Sequence, residues 1–136
     1  MNIVVVDGAH LAGEADFPML DFPKYGWQQF PALNGDELTE RCWRADVIIT
    51  VDTPIDQAVI GKAFKLSLIA AAGDSTAHID MAAAQARGIV VCHVPGANPT
   101  NPQHAAHICA QTIANITAFL RNSPINLLNT ASANPA

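Results

Sequence analysis

The chain has 136 residues, half of them hydrophobic, with 7 Lys or Arg against 12 Asp or Glu and a net charge of −5. That length makes one domain able to bury a sizeable core, and few, scattered basic residues argue against a nucleic-acid-binding face. No apolar run reaches the roughly 18 residues of a membrane span, and Met1-Asn-Ile leads straight into a short strand instead of a leader peptide, so a cytoplasmic protein is expected.

In chain order, Asn2 to Val6 is a short apolar strand ending at Asp7-Gly8. Residues 9–25 are irregular, with Gly13, Pro18 and Pro23, and only Pro18 to Phe22 suits a helical turn. Trp27 to Phe30 is a second strand. Asn34-Gly-Asp-Glu-Leu-Thr-Glu-Arg-Cys-Trp reads as a capped helix, with acids early and Arg41 and Arg44 late, matching the helix dipole. Val47 to Val51 is the third strand. Thr53-Pro54 opens the next helix, Thr as N-cap and Pro at the first helical position, and that helix runs to about Ala63.

The stretch from Lys65 to Gly96 is strand, glycine-containing loop, helix, strand and turn. An apolar run, Leu66 to Ala72, stops at Gly73, and polar Asp74, Ser75 and Thr76 follow. Asp80 caps a helix of good formers, Met81 to Ala86, which Gly88 ends at the C′ position. Ile89 to Cys92 suits a strand buried on both faces. The βαβ unit puts loops 73–79 and 93–99 on one edge of a parallel sheet, where α/β proteins bind ligands.

Pro95 to Pro102 is a turn-rich linker, and a helix over 103–121 keeps apolar positions 105, 109, 113, 116 and 120 at helical spacing. Asn122-Ser-Pro124 stops it. Ile125 to Leu128 suits a short extended piece, and 130–136 is a loose tail of small and polar residues. Strands alternating with helices predict an α/β fold over 1–129: a flavodoxin-like, doubly wound, five-stranded parallel sheet of order 2-1-3-4-5 with helices on both faces. Between Arg87 and Arg121 there is no Asp, Glu, Lys or Arg. Such a neutral stretch suggests burial against something, and a homodimer through the 88–120 region is expected. Cys42, Cys92 and Cys109 fit no zinc spacing and read as reduced structural thiols.

Five stretches together resemble a known family. They are Val47-Ile-Ile-Thr-Val-Asp-Thr-Pro-Ile-Asp-Gln-Ala-Val-Ile60, Leu66-Ser-Leu-Ile-Ala-Ala-Ala-Gly73, His78-Ile-Asp80, Ala82-Ala-Ala-Gln-Ala-Arg-Gly-Ile-Val-Val91 and Val94-Pro-Gly96. They resemble, in order, the N-terminal domain of the D-isomer-specific 2-hydroxyacid dehydrogenases, nearest to the glycerate dehydrogenase (hydroxypyruvate reductase) branch. The family carries a second, NAD(P)-binding domain inserted after this one, and its chain then returns to the first domain. Ala114 to Asn129 resembles that returning segment, with the join between Pro95 and roughly Ala110.

The resemblance implies that backbone N–H groups of Ala72, Gly73, Asp74, Ser75 and Thr76 hold a substrate carboxylate. The chain departs from the family there: Ser75 stands for a usual Gly, Ala77 for a usual Asp or Asn, and Asp74 adds a negative charge. The family's catalytic Arg and Glu have no counterpart, and Pro102-Gln-His104 only echoes its catalytic histidine. The eight glycines, 8, 13, 26, 35, 61, 73, 88 and 96, contain no pair separated by one residue, so the dinucleotide fingerprint G-x-G-x-x-G is absent and no cofactor is expected. His104 and His107 sit three apart, a spacing that can hold a metal, but no third ligand is visible. Asp7 and Asp52 follow strands that are neighbours at the switch point. They read as loop caps or, as in a receiver domain, as Mg²⁺ ligands, although a receiver needs a Lys after strand five and Cys92-His93-Val94-Pro95 has none. An FMN site lacks its Ser/Thr-rich loop after strand one.

Three functions stay open. One is a substrate-binding domain without dehydrogenase activity on its own, another a small carboxylate- or anion-binding module using loop 73–76, and the third a self-associating structural domain.

Overall fold

The computed structural model describes residues 1–128, so the tail expected over 130–136 lies outside the described residues. Its five strands are β1 (Asn2–Val5), β2 (Gly26–Gln29), β3 (Val47–Thr50), β4 (Leu68–Ala71) and β5 (Val90–Cys92). All pair in parallel, in the order β2-β1-β3-β4-β5 expected from the sequence. Four helices join or flank them: α1 (Gly35–Cys42), α2 (Gln57–Lys62), α3 (Met81–Ala86) and α4 (Ala105–Leu120).

Period-two alternation along the strands divides the core into two layers. Ile3, Val47, Leu68 and Val90 stand in register across the sheet and face one layer with Ile108, Cys109, Ile113 and Ile116 of α4. Val4, Ile48, Ile69 and Val91 face the other, against Leu38 of α1, Val59 and Ile60 of α2, and Ala84 of α3. The faces are covered unequally. Three helices lie on the second, whereas α4 shares the first with the irregular segment that contributes Leu11 and Leu20.

α3 is bounded as expected: Asp80 accepts from the Ala83 amide at 3.0 Å, and Gly88 takes the left-handed φ of 69° past its end. Other elements depart from expectation. Ile55 is held extended beside Ile79, its N–H donating to the His78 carbonyl at 2.9 Å and its carbonyl accepting from Asp80 N at 3.0 Å. A helix therefore cannot start at Thr53-Pro54, and Asp56 caps α2 instead, accepting from Val59 N at 3.1 Å. Pro18 to Phe22 forms no helical turn, since Leu20 N is drawn to the Tyr25 hydroxyl at 2.9 Å. A 3-10 turn occurs earlier, over Gly8–His10. Asn34 precedes α1 without a side-chain cap bond. The 103–121 helix begins as a 3-10 turn, Pro102–His104, capped by Asn101. After α4, Leu127 bridges antiparallel to Cys92, the extended piece expected at 125–128.

At the switch point, where β1 and β3 are neighbours and connections leave in opposite directions, Asp7 is fully buried. Its Oδ1 accepts from Val51 N at 2.8 Å. Its Oδ2 accepts from Asp52 N and Thr53 N at 2.9 Å and from the Thr53 hydroxyl at 2.7 Å. Thr53, not a helix cap, is thus half of a knot between the ends of β1 and β3. Asp7→Ala strands three amides and a hydroxyl, and should lower unfolding free energy by about 3–5 kcal/mol. Asp7→Asn should rescue little, because its NH₂ faces donors. Denaturant titration of both variants tests this.

Candidate functional site

The parallel strands place the turns after β1, β3, β4 and β5 along one edge. The turns that follow the strands carry Asp7, Asp52, Asp56, Asp74 and Asp80 and no Lys or Arg. Lys24, Arg41, Arg44, Lys62, Lys65 and Arg87 instead lie in segments leading into β2 to β5, at the opposite edge. The edge formed by these turns is therefore acidic, whereas the opposite edge carries these six basic residues together with acids such as Asp46.

Next to the Asp7 knot, His10 Nδ1 donates to Asp52 Oδ1 at 2.5 Å and stands 3.6 Å from Asp7 Oδ2. Asp7, His10 and Asp52 offer ligand atoms within 4.8 Å of one another. Asp7, however, spends both oxygens on four protein donors, so it caps the 51–53 turn, the first of the two roles its sequence position suggests, and is poorly free for a cation. The His10–Asp52 pair is largely exposed and contributes little stability.

The second part of the edge is loop 72–80 laid against loop 93–99. Val94 N donates to Gly73 O at 2.9 Å, Asp74 N to Ala97 O at 2.9 Å, and Gly96 N to Asp74 Oδ1 at 2.9 Å. His93 Nδ1 lies 2.8 Å from the Asp74 carbonyl, which can only accept, so Nδ1 carries the proton. A Cβ on Gly73 would lie 3.0 Å from Pro99 Cδ and Cγ, so this close approach requires glycine. Of the five amides singled out in the sequence, Ala72 N is used by Thr50 O at 2.9 Å and Asp74 N by Ala97 O. Gly73, Ser75 and Thr76 keep N–H groups with no acceptor among the described residues. A shallow cleft of about 270 Å³ opens there, lined by Asp74, Ser75, Gly96, Ala97, Asn98 and Pro99.

His104 takes a structural role: its Nδ1 accepts from Asn98 N at 2.9 Å, fixing the linker. His107 is exposed on α4 and no metal-competent group forms around it among the described residues. The three cysteines are buried. Burial pushes the thiols of Cys42 and Cys92 up to about 12 and that of Cys109 up to about 11, which suits inert structural roles.

Sequence reasoning passed over a polar relay behind the loops. Buried Asn115 donates to the His93 carbonyl at 2.8 Å and accepts from Asn126 Nδ2 at 2.8 Å and Gln111 Nε2 at 2.9 Å. The signal was available: Asn115 falls on the apolar face of α4, beside Ile116. His78 was also passed over as a titrating group. Its Nε2 is buried without a partner among the described residues, and burial lowers its pKa from 6.5, against the opposing pull of Asp7 and Asp52. A lowered folded-state pKa means the unfolded chain binds the proton more readily. Stability from neutral His78 is then fully present above pH 6.5 and is lost as pH falls below it through the folded pKa. Thermal melts from pH 7.5 to 5 should show a smaller drop in Tm for His78→Gln than for the wild type.

Comparison with known proteins agrees with this architecture. A sequence profile for the D-isomer specific 2-hydroxyacid dehydrogenase catalytic domain matches residues 10–129. A Haemophilus influenzae protein assigned as a 2-hydroxyacid dehydrogenase is 27% identical over 123 residues, covering 90% of this chain and 39% of that protein. This chain thus spans about two fifths of the length of the curated relative it matches. NAD⁺-bound 3-phosphoglycerate dehydrogenase of Entamoeba histolytica superposes with a TM-score of 0.57 at 22% identity, over 90% of this chain and 40% of that one. A Thermus thermophilus protein does so with a TM-score of 0.56 at 30% identity, over 71% and 31%. On the matched span, the chain belongs to the D-isomer specific 2-hydroxyacid dehydrogenase family and comprises its catalytic domain.

Proposed function

We propose that this chain is the substrate-side part of a D-2-hydroxyacid oxidoreductase and binds the carboxylate of a small 2-hydroxy or 2-oxo acid on loop 72–76. The observation that carries this reading is that the N–H groups of Gly73, Ser75 and Thr76 have no acceptor among the described residues, the last two being consecutive and Ser75 lining a cleft at the strand-end edge. Successive amides in a turn make an anion nest, and ligands of open α/β sheets settle at this edge.

The residues present do not fit a dinucleotide. No glycine pair has the fingerprint spacing, and the turns at this edge add carboxylates where a pyrophosphate would sit. Hydride transfer therefore needs a nucleotide-binding part that these residues do not provide, and the domain alone is read as a binder. With one wall of the cleft open to water, affinity should be weak, about 1 mM. Adding D-glycerate or hydroxypyruvate should shift the amide resonances of Gly73, Ser75 and Thr76, and NADH should not be consumed. Silent amides would sink the reading of the loop, and turnover would sink the assignment as a binder.

A second reading, self-association, rests on α4. Ala106, His107, Ala110 and Ala114 are exposed along it, and no Lys, Arg, Asp or Glu occurs between Arg87 and Arg121. Small uncharged side chains let a second copy approach closely without like charges meeting at the two-fold axis. Among the described residues no helix is long and apolar enough to cross a membrane. Sedimentation at rising concentration should reveal a dimer that Ala110→Glu disrupts. A monomer at every concentration would count against it.

A further inference from the structure

The charge of the cleft narrows the ligand class, on the reading that loop 73–76 holds a carboxylate. Asp74 lies in the middle of that loop and is largely exposed, 59% of its side chain facing solvent. Its Oδ1 is fixed by Gly96 N at 2.9 Å, whereas Oδ2 has no partner among the described residues. Asp74 and Ser75 line the same cleft, so a residue with an unpartnered N–H and a residue with an unpartnered carboxylate oxygen, among the described residues, are neighbours on one space. The nearest basic group is His93, whose Nδ1 proton is committed to the Asp74 carbonyl at 2.8 Å and stands 3.7 Å from Oδ1. The turns after the strands supply no Lys or Arg to offset a second ligand charge.

We infer that Asp74 is a specificity-determining residue that selects ligands carrying a carboxylate together with a positively charged nitrogen, and rejects phosphorylated or dicarboxylic acids. A ligand carboxylate on the Ser75 and Thr76 amides approaches the Asp74 charge. The repulsion is offset only if the ligand brings a cation to the free oxygen. Each added negative charge on the ligand weakens binding by about fivefold at low ionic strength, and a compensating ammonium strengthens it by a similar factor.

The test is a titration of the whole chain, followed through the Ser75 and Thr76 amide resonances at low salt. Three probes share the 2-hydroxy acid group: 4-amino-2-hydroxybutyrate, D-glycerate and 3-phosphoglycerate. The expected order of affinity is the order in which they are named, with about fiftyfold or more between first and last. Asp74→Asn keeps an oxygen acceptor for Gly96 N and should compress that range to about threefold. As a check that needs no variant, about 0.3 M NaCl should compress it in the wild type as well. Equal affinities, a reversed order, or a range that neither Asp74→Asn nor salt changes would overturn the inference while leaving carboxylate binding in place. If no probe moves these amides in either protein, the carboxylate reading falls first and this inference with it.

Discussion

A single buried carboxylate anchors the working edge of this domain. The ends of β1 and β3 diverge at the switch point, and divergent chain ends leave backbone amides without partners. Asp7 gathers three such amides and the Thr53 hydroxyl, all within 2.9 Å. By doing so it fixes the 51–53 turn, which sets where Ile55 pairs beside Ile79 and therefore where loop 72–80 can run. Loop 72–80 in turn receives loop 93–99 through Val94, Gly96 and Ala97. The geometry of the cleft thus descends, contact by contact, from one side chain.

Much of this was legible in the sequence because it depends on local pattern. The strand runs, the Asp80 cap, the Gly88 stop and the strand order all follow from periodicity, capping chemistry and the handedness of βαβ units. What escaped was set by long-range partners. Thr53-Pro54 has sound capping chemistry, yet Asp7, more than forty residues earlier, takes the Thr53 hydroxyl (2.7 Å), and the Ile55–Ile79 pairing keeps the segment extended. Tertiary hydrogen bonds outcompeted a local preference that is weak for any single helix start.

The candidate site shows the same division. Loop 73–76 was singled out through its likeness to the family's substrate loop, but which of its amides lack a partner among the described residues was not readable. Ala72 N serves the sheet and Asp74 N serves loop 93–99, and both partners are remote in sequence. The Asn115 relay shows the reverse case. A polar residue on the inner face of a helix that otherwise buries Ile108, Ile113 and Ile116 is a visible anomaly, and it connects α4 to the carbonyl of His93. Buried amides of this kind must be satisfied, so they specify one seating of a helix where apolar contacts alone would accept several.

The inert state of Cys42, Cys92 and Cys109 has a practical consequence. With every thiol shielded inside the fold and held protonated by its surroundings, alkylating reagents find no native target while the domain stays folded. A solvent-facing Ser75→Cys replacement would then be the sole reactive handle on the molecule. It would put a fluorophore or spin label at the mouth of the cleft with no background from the rest of the chain.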